Sequence, residues 1–337
     1  MELTNKQKEA IHYYKSGKIK KAIICLDNSI HEENNNELVY EILGICYTDI
    51  GEYEKSIENF NKALNINNKN KRCIYAIINL LNFIKPKNFK DNIILSTNEK
   101  ILSLNKLISN KVPNDLLLKD IFSKATSYVD DHFEDINYNQ TQIFRRNEQK
   151  LDCDRHFKVF NKFKVIPKFC FDCYKIQITL ENVVELVKLY FLFNQSFIQK
   201  SNLRKCMIET RSNIKGNYKA LIYFSNPQDS IKSLDIIKKR ILENYIKTKT
   251  IEIKHGCSEF YNEYPDFNKI NFKGNQVFEY NKDWEKYEKI IDSKIVKKNN
   301  LFIGTTLNSL TLSDYFIIKN WSNYAKSLGD NSYKEIF

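Results

Sequence analysis

Glycine and proline are scarce in this chain of 337 residues, which has eight glycines and five prolines. Their scarcity excludes collagen-like sequences, linker-like sequences and proteins built on glycine-rich loops. Long hydrophobic runs are missing too, since the longest apolar stretch, around residues 183–193, is too short and too interrupted to span a bilayer. The sequence opens with polar residues where a signal peptide would have an apolar core. The sequence therefore predicts a cytoplasmic protein without a membrane span.

Catalytic sequence motifs are also missing. The chain has no GxxxxGK[ST], GxGxxG, GxSxG or HExxH motif, and so it lacks the signatures of the enzyme classes that these motifs identify. The stretches 145–148, 152–156 and 256–259 do concentrate charged and nucleophilic side chains that could serve acid–base or nucleophilic chemistry. Helix surfaces are commonly just as rich in such groups. Whether the protein is an enzyme therefore stays open.

Aromatic and basic residues, in contrast, are abundant. The chain has 20 tyrosines and 22 phenylalanines, and 42% of its residues are hydrophobic, which is enough for a sizeable core and excludes a disordered chain. The formal net charge is +12. Residues 1–136 carry 19 basic and 19 acidic side chains, whereas residues 137–337 carry 34 and 22. This difference indicates two domains, 1–136 and 137–337.

The first domain contains an internal repeat of 34 residues. Gly17 and Gly51 are separated by this period, and the clearer copy carries Tyr40, Leu43, Gly44, Tyr47, Gly51, Tyr53, Phe60 and Ala63. The pattern resembles the tetratricopeptide repeat (TPR). A packing reason supports the resemblance, because Gly44 would let one helix approach the next closely while Tyr47 and Phe60 fill the space between them.

The resemblance covers about residues 3–84 and has departures. Asn68 stands where the repeat has its closing proline, and Glu9-Ala10 stands where Leu-Gly is expected in the first copy. The resemblance implies an α-solenoid with capping helices and a groove that binds a protein or peptide partner. The alternative is that these helices only pack against the second domain or against a second copy of the chain.

The second domain alternates strand and helix patterns. Period-two alternation or strand-forming residues occur at 171–179, 206–211, 218–224 and 248–255, with helical periodicity at 179–195 and 226–245. The order β-α-β-β-α-β predicts a ferredoxin-like α+β domain with C-terminal helical additions. In such a sheet the first and fourth strands are antiparallel neighbours.

Cysteines lie at the ends of these two strands. Cys170 and Cys173 form the only CxxC and lie at the start of the first strand, Cys257 follows the fourth, and Cys153 and His156 lie upstream. We expect the first three to meet, with either Cys153 or His156 as a fourth ligand. Four ligands favour structural zinc, whereas three with an open position favour catalysis or an iron–sulfur centre. The alternative to both is that these thiols are packing residues.

A basic sheet face is the last feature. Alternation places Lys175, Lys219, Tyr223 and Lys254 on the face opposite the predicted core helices. Basic side chains interleaved with an aromatic residue on an open sheet are typical of single-stranded nucleic-acid binding. A solvated face, or one covered by residues 257–337, is the alternative.

Together these features predict a protein-interaction (adaptor) protein whose second domain binds a structural metal. A metal- or iron–sulfur-dependent enzyme acting on a peptide or protein substrate is the first alternative. A protein that binds single-stranded nucleic acid is the second.

Overall fold

The structure is a computed structural model that describes residues 4–30, 36–87, 92–108, 111–129, 133, 136–145, 151–197, 202–295 and 306–337. The chain forms two compact units. A helical unit comprises residues 1–106, 124–138 and 296–316, and a sheet unit comprises 107–123, 139–295 and 317–337. Within the described ranges, no helix combines the length and the apolar character that a membrane crossing requires.

Six helices follow one another in the helical unit. They are α1 (Asn5–Lys15), α2 (Ile19–Ile30), α3 (Glu37–Asp49), α4 (Tyr53–Ile66), α5 (Lys71–Leu80) and α6 (Ile93–Ser103). Polar caps fix where several of them begin: Thr4 and Gln7 form a capping box on α1, and Asn36 and Asn70 cap α3 and α5. Each helix from α1 to α5 contacts the next one along the chain.

The turns that join α1 to α2 and α3 to α4 have the same backbone structure, 34 residues apart. Gly17 has φ +76° and Gly51 has φ +79°, a conformation that side chains with a Cβ rarely adopt. The residue after each glycine donates its N–H to the carbonyl five residues earlier, on Tyr13 and Tyr47 respectively. The sequence repeat is therefore also a repeat of local structure.

The packing between α3 and α4 follows the expectation for Gly44. A Cβ at this position would lie 2.5 Å from Cε1 of Phe60, whose ring is buried. Ser56 Oγ, also on α4, donates a hydrogen bond of 2.7 Å to the Gly44 carbonyl. The missing side chain therefore permits this close contact between the two helices.

The sheet unit is an α+β structure with one antiparallel sheet. Its strands are β1 (Gln142–Arg145), β2 (Tyr174–Leu180), β3 (Arg204–Ile208), β4 (Tyr218–Phe224) and β5 (Thr248–His255), in the order β1-β3-β4-β2-β5. The further helices among the described residues are α7 (Asn105–Ile108), α8 (Asp115–Val129), α9 (Cys153–Phe163), α10 (Val183–Asn194), α11 (Pro227–Glu243), α12 (Glu285–Asp292) and α13 (Leu312–Ser327).

Two strand predictions were wrong in their extents. The first predicted strand begins at Tyr174 rather than at 171. Residues 171 and 172, which were expected to start the strand, belong instead to a 3-10 turn at residues 168–172. The second predicted strand spans Arg204–Ile208 instead of 206–211. In addition, β1 pairs with β3 at the sheet edge and was not predicted.

The strand register assigns the side chains to two faces. Ile176 of β2 lies opposite Ile222 of β4 and Ile253 of β5. These apolar side chains form the sheet face on which α10 and α11 pack. The next residue, Lys175, lies opposite Tyr223 and Lys254 on the other face. This second sheet face is named the lysine face below.

Candidate functional site

The pairing of β2 with β5 brings the CxxC segment beside Cys257. Tyr174 lies opposite His255 in antiparallel register, as the predicted neighbourhood of these two strands requires. Beyond this pair, the Gly256 N–H donates a hydrogen bond of 2.8 Å to the Cys173 carbonyl. Cys257 is the next residue, so it leaves the strand beside Cys173.

Two tight turns hold these cysteines in place. In the 3-10 turn at residues 168–172, the Cys173 N–H donates to the Cys170 carbonyl at 3.3 Å, which keeps both residues of the CxxC on one short turn. At the end of β5, Gly256 has φ +56°, and a Cβ there would overlap the ring of Phe267. Glycine is therefore required where the chain turns from β5 into Cys257.

Helix α9 supplies Cys153. This helix starts at Cys153, directly after Asp152, whose φ of 45° turns the chain into the helix. One turn before its C-terminal end, the ring of Phe160 packs edge-on against Phe260, with 4.7 Å between the centroids. Because Phe260 follows Cys257 by three residues, this aromatic contact places α9 against the segment that carries Cys257.

Electrostatic interactions join all four cysteines into one group. Every pair among Cys153, Cys170, Cys173 and Cys257 interacts, and these residues are named the four-thiol cluster. Burial, followed by the charge of Cys257, raises the pKa of the Cys153 thiol to about 11. Burial raises the pKa of Cys173 to about 12 against the opposing charge of Lys175, and it raises the pKa of Cys170 still further. Cys153, Cys170 and Cys173 are consequently protonated at neutral pH.

The thiols are neighbours without being arranged around an ion. Within the described ranges, no three Cys, His, Asp or Glu side chains are positioned to hold a metal ion as they stand. The thiol side chains would therefore have to rotate to close on one. Cys170 is buried, Cys173 and Cys257 are half-buried, and Cys153 has an exposed surface, so the cluster can be reached from the side of Cys153.

His156 lies with a different set of groups. Its ring stacks on Phe169 with 4.9 Å between the centroids. Burial, followed by the charge of Arg155, lowers its pKa, and the other main influences are carboxylates rather than thiols. Of the two candidates for a fourth ligand, Cys153 is the one whose charge affects the pKa of Cys170 and Cys173.

His255 is occupied by the backbone. Its Nδ1 lies 2.7 Å from the Phe267 carbonyl and its Nε2 lies 2.9 Å from the Phe171 carbonyl, while its ring is stacked between Tyr174 and Phe267. Both ring nitrogens therefore have protein partners. Through these two contacts His255 connects the CxxC turn, at Phe171, with the segment after β5, at Phe267.

Two lysines of the lysine face adjoin the four-thiol cluster. The charges of Lys175 and Lys205 both favour lower pKa values for the thiols of Cys153 and Cys173, against the larger effect of burial. Burial, followed by the nearby charge of Lys175, lowers the pKa of Lys205 to about 8. Its ammonium group lies 5.8 Å from the centroid of the Phe144 ring. Sequence analysis could not single out Lys205, because its position depends on the register of β3.

The other basic residues of this face are paired with carboxylates. Lys219 is buried and lies 3.2 Å from Glu209, and Arg211 donates to the same carboxylate at 2.8 Å. Lys254 lies 3.0 Å from Glu252. Burial would raise the pKa of Glu209, but the hydrogen bonds from Arg211 and Lys219 lower it to about 2. These cations are balanced within the protein, which weakens the expectation of a phosphate-binding face.

Tyr223, the predicted stacking residue, is half-buried, and burial raises the pKa of its hydroxyl well above the ordinary value. Its electrostatic neighbours include three of the four cysteines. The hydroxyl of Tyr223 therefore lies within electrostatic range of the four-thiol cluster.

Comparison of the chain with known protein families, curated proteins and solved structures finds no match. Functional conclusions therefore depend on the geometry described above.

Proposed function

We propose that this chain is a protein-interaction protein, in which a TPR-like helical unit binds a protein or peptide partner and a ferredoxin-like sheet unit is stabilised by one zinc ion bound to the four-thiol cluster. The observation that carries the proposal is that Cys153 interacts with all three other cysteines of the cluster. All four thiols take part in these pKa effects, which supports treating four sulfurs, rather than three, as the proposed ligand set.

The number of sulfurs bears on the kind of function. Zinc bound by four cysteine thiolates is tetrahedral and closed, and such sites contribute to folding, whereas catalytic zinc sites keep one position for water or substrate. The cluster links three segments that are distant in sequence: the start of α9, the turn before β2 and the segment after β5. A metal there would stabilise the sheet unit and leave recognition to the helical unit.

The helical unit supports the interaction role through its repeated hairpins. The equivalent turns at Gly17 and Gly51 and the tight contact between Gly44 and Phe60 are features that a repeat architecture needs. Stacked helical hairpins present extended surfaces suited to peptides and proteins. A protein or peptide is therefore the partner class that we propose for this unit.

The iron–sulfur enzyme remains the second candidate, because four cysteine thiolates also suit iron. The zinc hypothesis and the iron–sulfur hypothesis predict different absorption spectra. A zinc site is colourless, and its cobalt derivative shows tetrahedral thiolate absorption bands, whereas iron bound to sulfur gives strong charge-transfer bands.

Elemental analysis with an absorption spectrum tests the metal part of the proposal. Full-length protein purified anaerobically without added metal should contain one zinc per chain. The Cys170→Ser, Cys173→Ser double variant should lose the zinc and unfold at lower denaturant concentration. Cys25→Ser, which removes a thiol of the helical unit, is the matched control and should keep the zinc. A metal-free wild type, or zinc retained in the double variant, contradicts the proposal.

Site-specific crosslinking tests the interaction part. A photoreactive residue placed at the half-buried Ile45 of α3 is compared with one at the exposed Glu58 of α4. We expect a discrete crosslinked partner from the first position, competed away by excess wild-type protein. Crosslinking from both positions alike, or from neither, argues against a binding surface on α3.

A further inference from the structure

The strand β5 forms one edge of the five-stranded sheet and pairs with β2 on one side. Just after β5, the Gly256 N–H donates a hydrogen bond to the carbonyl of Cys173, the residue opposite it. In an antiparallel pair, opposite residues that exchange hydrogen bonds alternate with opposite residues that do not. The backbone groups of Glu252 therefore face β2, whereas those of Ile251 and Ile253 point away from the sheet.

The outer edge of β5 is open in the part of the chain that the structure describes. No hydrogen bond reaches the backbone of Ile251 or Ile253 there from outside the sheet. Both residues are half-buried, and the neighbouring Thr250 and Glu252 are exposed. Outward N–H and C=O groups on alternate residues are a template to which an extended segment of another chain can add as a strand.

The turn before β5 carries an exposed tyrosine in a strained conformation. Tyr245 has φ +52°, in the left-handed region that glycine adopts at the least cost after a helix. Its side chain is 87% exposed, and that of Leu242, whose carbonyl accepts the Tyr245 N–H hydrogen bond, is 76% exposed. Neither side chain contributes to the core. Exposed apolar surface at a strained position beside an open strand is suited to contact with a partner.

The charges at the start of β5 indicate which partner fits. Lys247 and Lys249 are exposed, and neither has a carboxylate partner among the described residues. The carboxylates of Glu243 and Glu252 are already paired with other basic side chains. A second copy of the chain would bring the same two lysines and leave their charge unbalanced. An acidic segment of another protein balances it.

We propose that the outer edge of β5 binds an extended acidic segment of a partner protein, which adds to the sheet as a further strand. Main-chain hydrogen bonds to Ile251 and Ile253 hold the segment in place. Lys247 and Lys249 attract its carboxylates, and Tyr245 contacts one of its apolar side chains. This surface belongs to the sheet unit and depends neither on the metal site nor on a partner of the helical unit.

Binding of designed peptides to the full chain tests the proposal. Each peptide has eight residues, as many as β5, and alternates valine with threonine. Two acidic peptides carry a pair of glutamates at the N-terminal or the C-terminal end, and two basic peptides carry lysines there instead. By fluorescence anisotropy, at least one acidic peptide should bind saturably and at least about tenfold more tightly than the basic peptides. Failure of both acidic peptides to bind overturns the proposal.

Amide hydrogen exchange, followed by nuclear magnetic resonance, locates the bound peptide. In the free protein the amide of Glu252 should exchange slowly and those of Ile251 and Ile253 fast, because only the first is bonded to β2. The acidic peptide should slow exchange at Ile251 and Ile253 by about tenfold or more. Binding that leaves both amides unchanged overturns the proposal. Slowing that grows with the concentration of the protein alone also overturns it, because a second copy then occupies the edge.

Three variants test the contribution of the side chains. Lys249→Glu should bind the acidic peptide about tenfold more weakly, whereas Lys232→Glu, at an exposed position near the other end of α11, should stay within about threefold of wild type. Tyr245→Gly relieves the strained φ, so it should unfold at a denaturant concentration no lower than wild type and still bind the peptide about tenfold more weakly. Equal affinities of Lys249→Glu and Lys232→Glu overturn the acidic partner, and wild-type affinity in Tyr245→Gly overturns the apolar contact.

Discussion

Replacing Gly44 by alanine tests the packing on which the repeat structure depends. A Cβ built on Gly44 lies 2.5, 2.6 and 2.8 Å from Cε1, Cδ1 and Cζ of Phe60. All three distances are shorter than carbon atoms can approach without displacement. Because the Phe60 side chain is only 2% exposed, the ring has no open space to enter. Either α3 and α4 move apart or the ring leaves its rotamer.

One stabilising and two destabilising effects decide the magnitude. Alanine is the better helix former by about 1 kcal/mol. Overpacking a filled core costs typically about 1–3 kcal/mol. Separation of the helices would also stretch the hydrogen bond from Ser56 Oγ to the Gly44 carbonyl, now 2.7 Å, which is worth about 1 kcal/mol. We therefore expect Gly44→Ala to lower the free energy of unfolding by about 2 kcal/mol in total.

A double-mutant cycle with Phe60→Leu provides the assay. Unfolding in denaturant is followed by far-ultraviolet circular dichroism for the wild type, both single variants and the double variant. The smaller leucine makes room for the new methyl group, so the double variant should be more stable than the sum of the single effects by about 1 kcal/mol or more. Gly44→Ala protein that is as stable as wild type, or a cycle additive within about 0.5 kcal/mol, refutes the reasoning.

Three predictions concern the sheet unit. Glu209→Gln leaves a buried cation unpaired and should cost about 3 kcal/mol in chemical denaturation, whereas Glu252→Gln breaks an exposed pair and should cost less than about 1 kcal/mol. The pKa of Glu209 is lowered from 4.5 to about 2, so its contribution to the free energy of unfolding is complete above pH 4.5 and is lost as the pH falls from 4.5 to 2. An acid-unfolding curve that is equally steep for Glu209→Gln and wild type contradicts this. Gly256→Ala would make the new Cβ clash with the buried ring of Phe267 and should lower the zinc content. Gly329 also has a positive φ but has open space around it, so Gly329→Ala should leave the zinc content unchanged.

Features set by single-residue backbone requirements could be predicted from the sequence. Gly17 and Gly51 stand 34 residues apart because both turns need a positive φ. The neighbourhood of β2 and β5 was predictable from the order of strand and helix patterns, since short connections leave few ways to arrange such a sheet. That arrangement brings Cys173 beside Cys257.

Features set by tertiary packing could not be predicted. The strand β1 has four residues, too few for a clear alternating pattern, and forms because β3 offers it an edge. The last two residues of the 3-10 turn before β2, 171 and 172, were assigned to the strand because Phe171 suits either structure. Local sequence cannot decide between two conformations when the deciding contacts come from distant residues.

The choice between Cys153 and His156 shows the same limit at the site itself. Residues three apart on a helix lie on nearby faces, so spacing alone leaves both of them as possible ligands. The decision comes from outside α9: Phe169 stacks on the histidine, and the contacts of Phe157 and Phe160 with Phe260 hold the helix against the segment that carries Cys257. The proximity of Cys153 to the other three cysteines thus depends on three-dimensional contacts between segments, and the variants that remove thiols are the ones that test whether the four act as the proposed site.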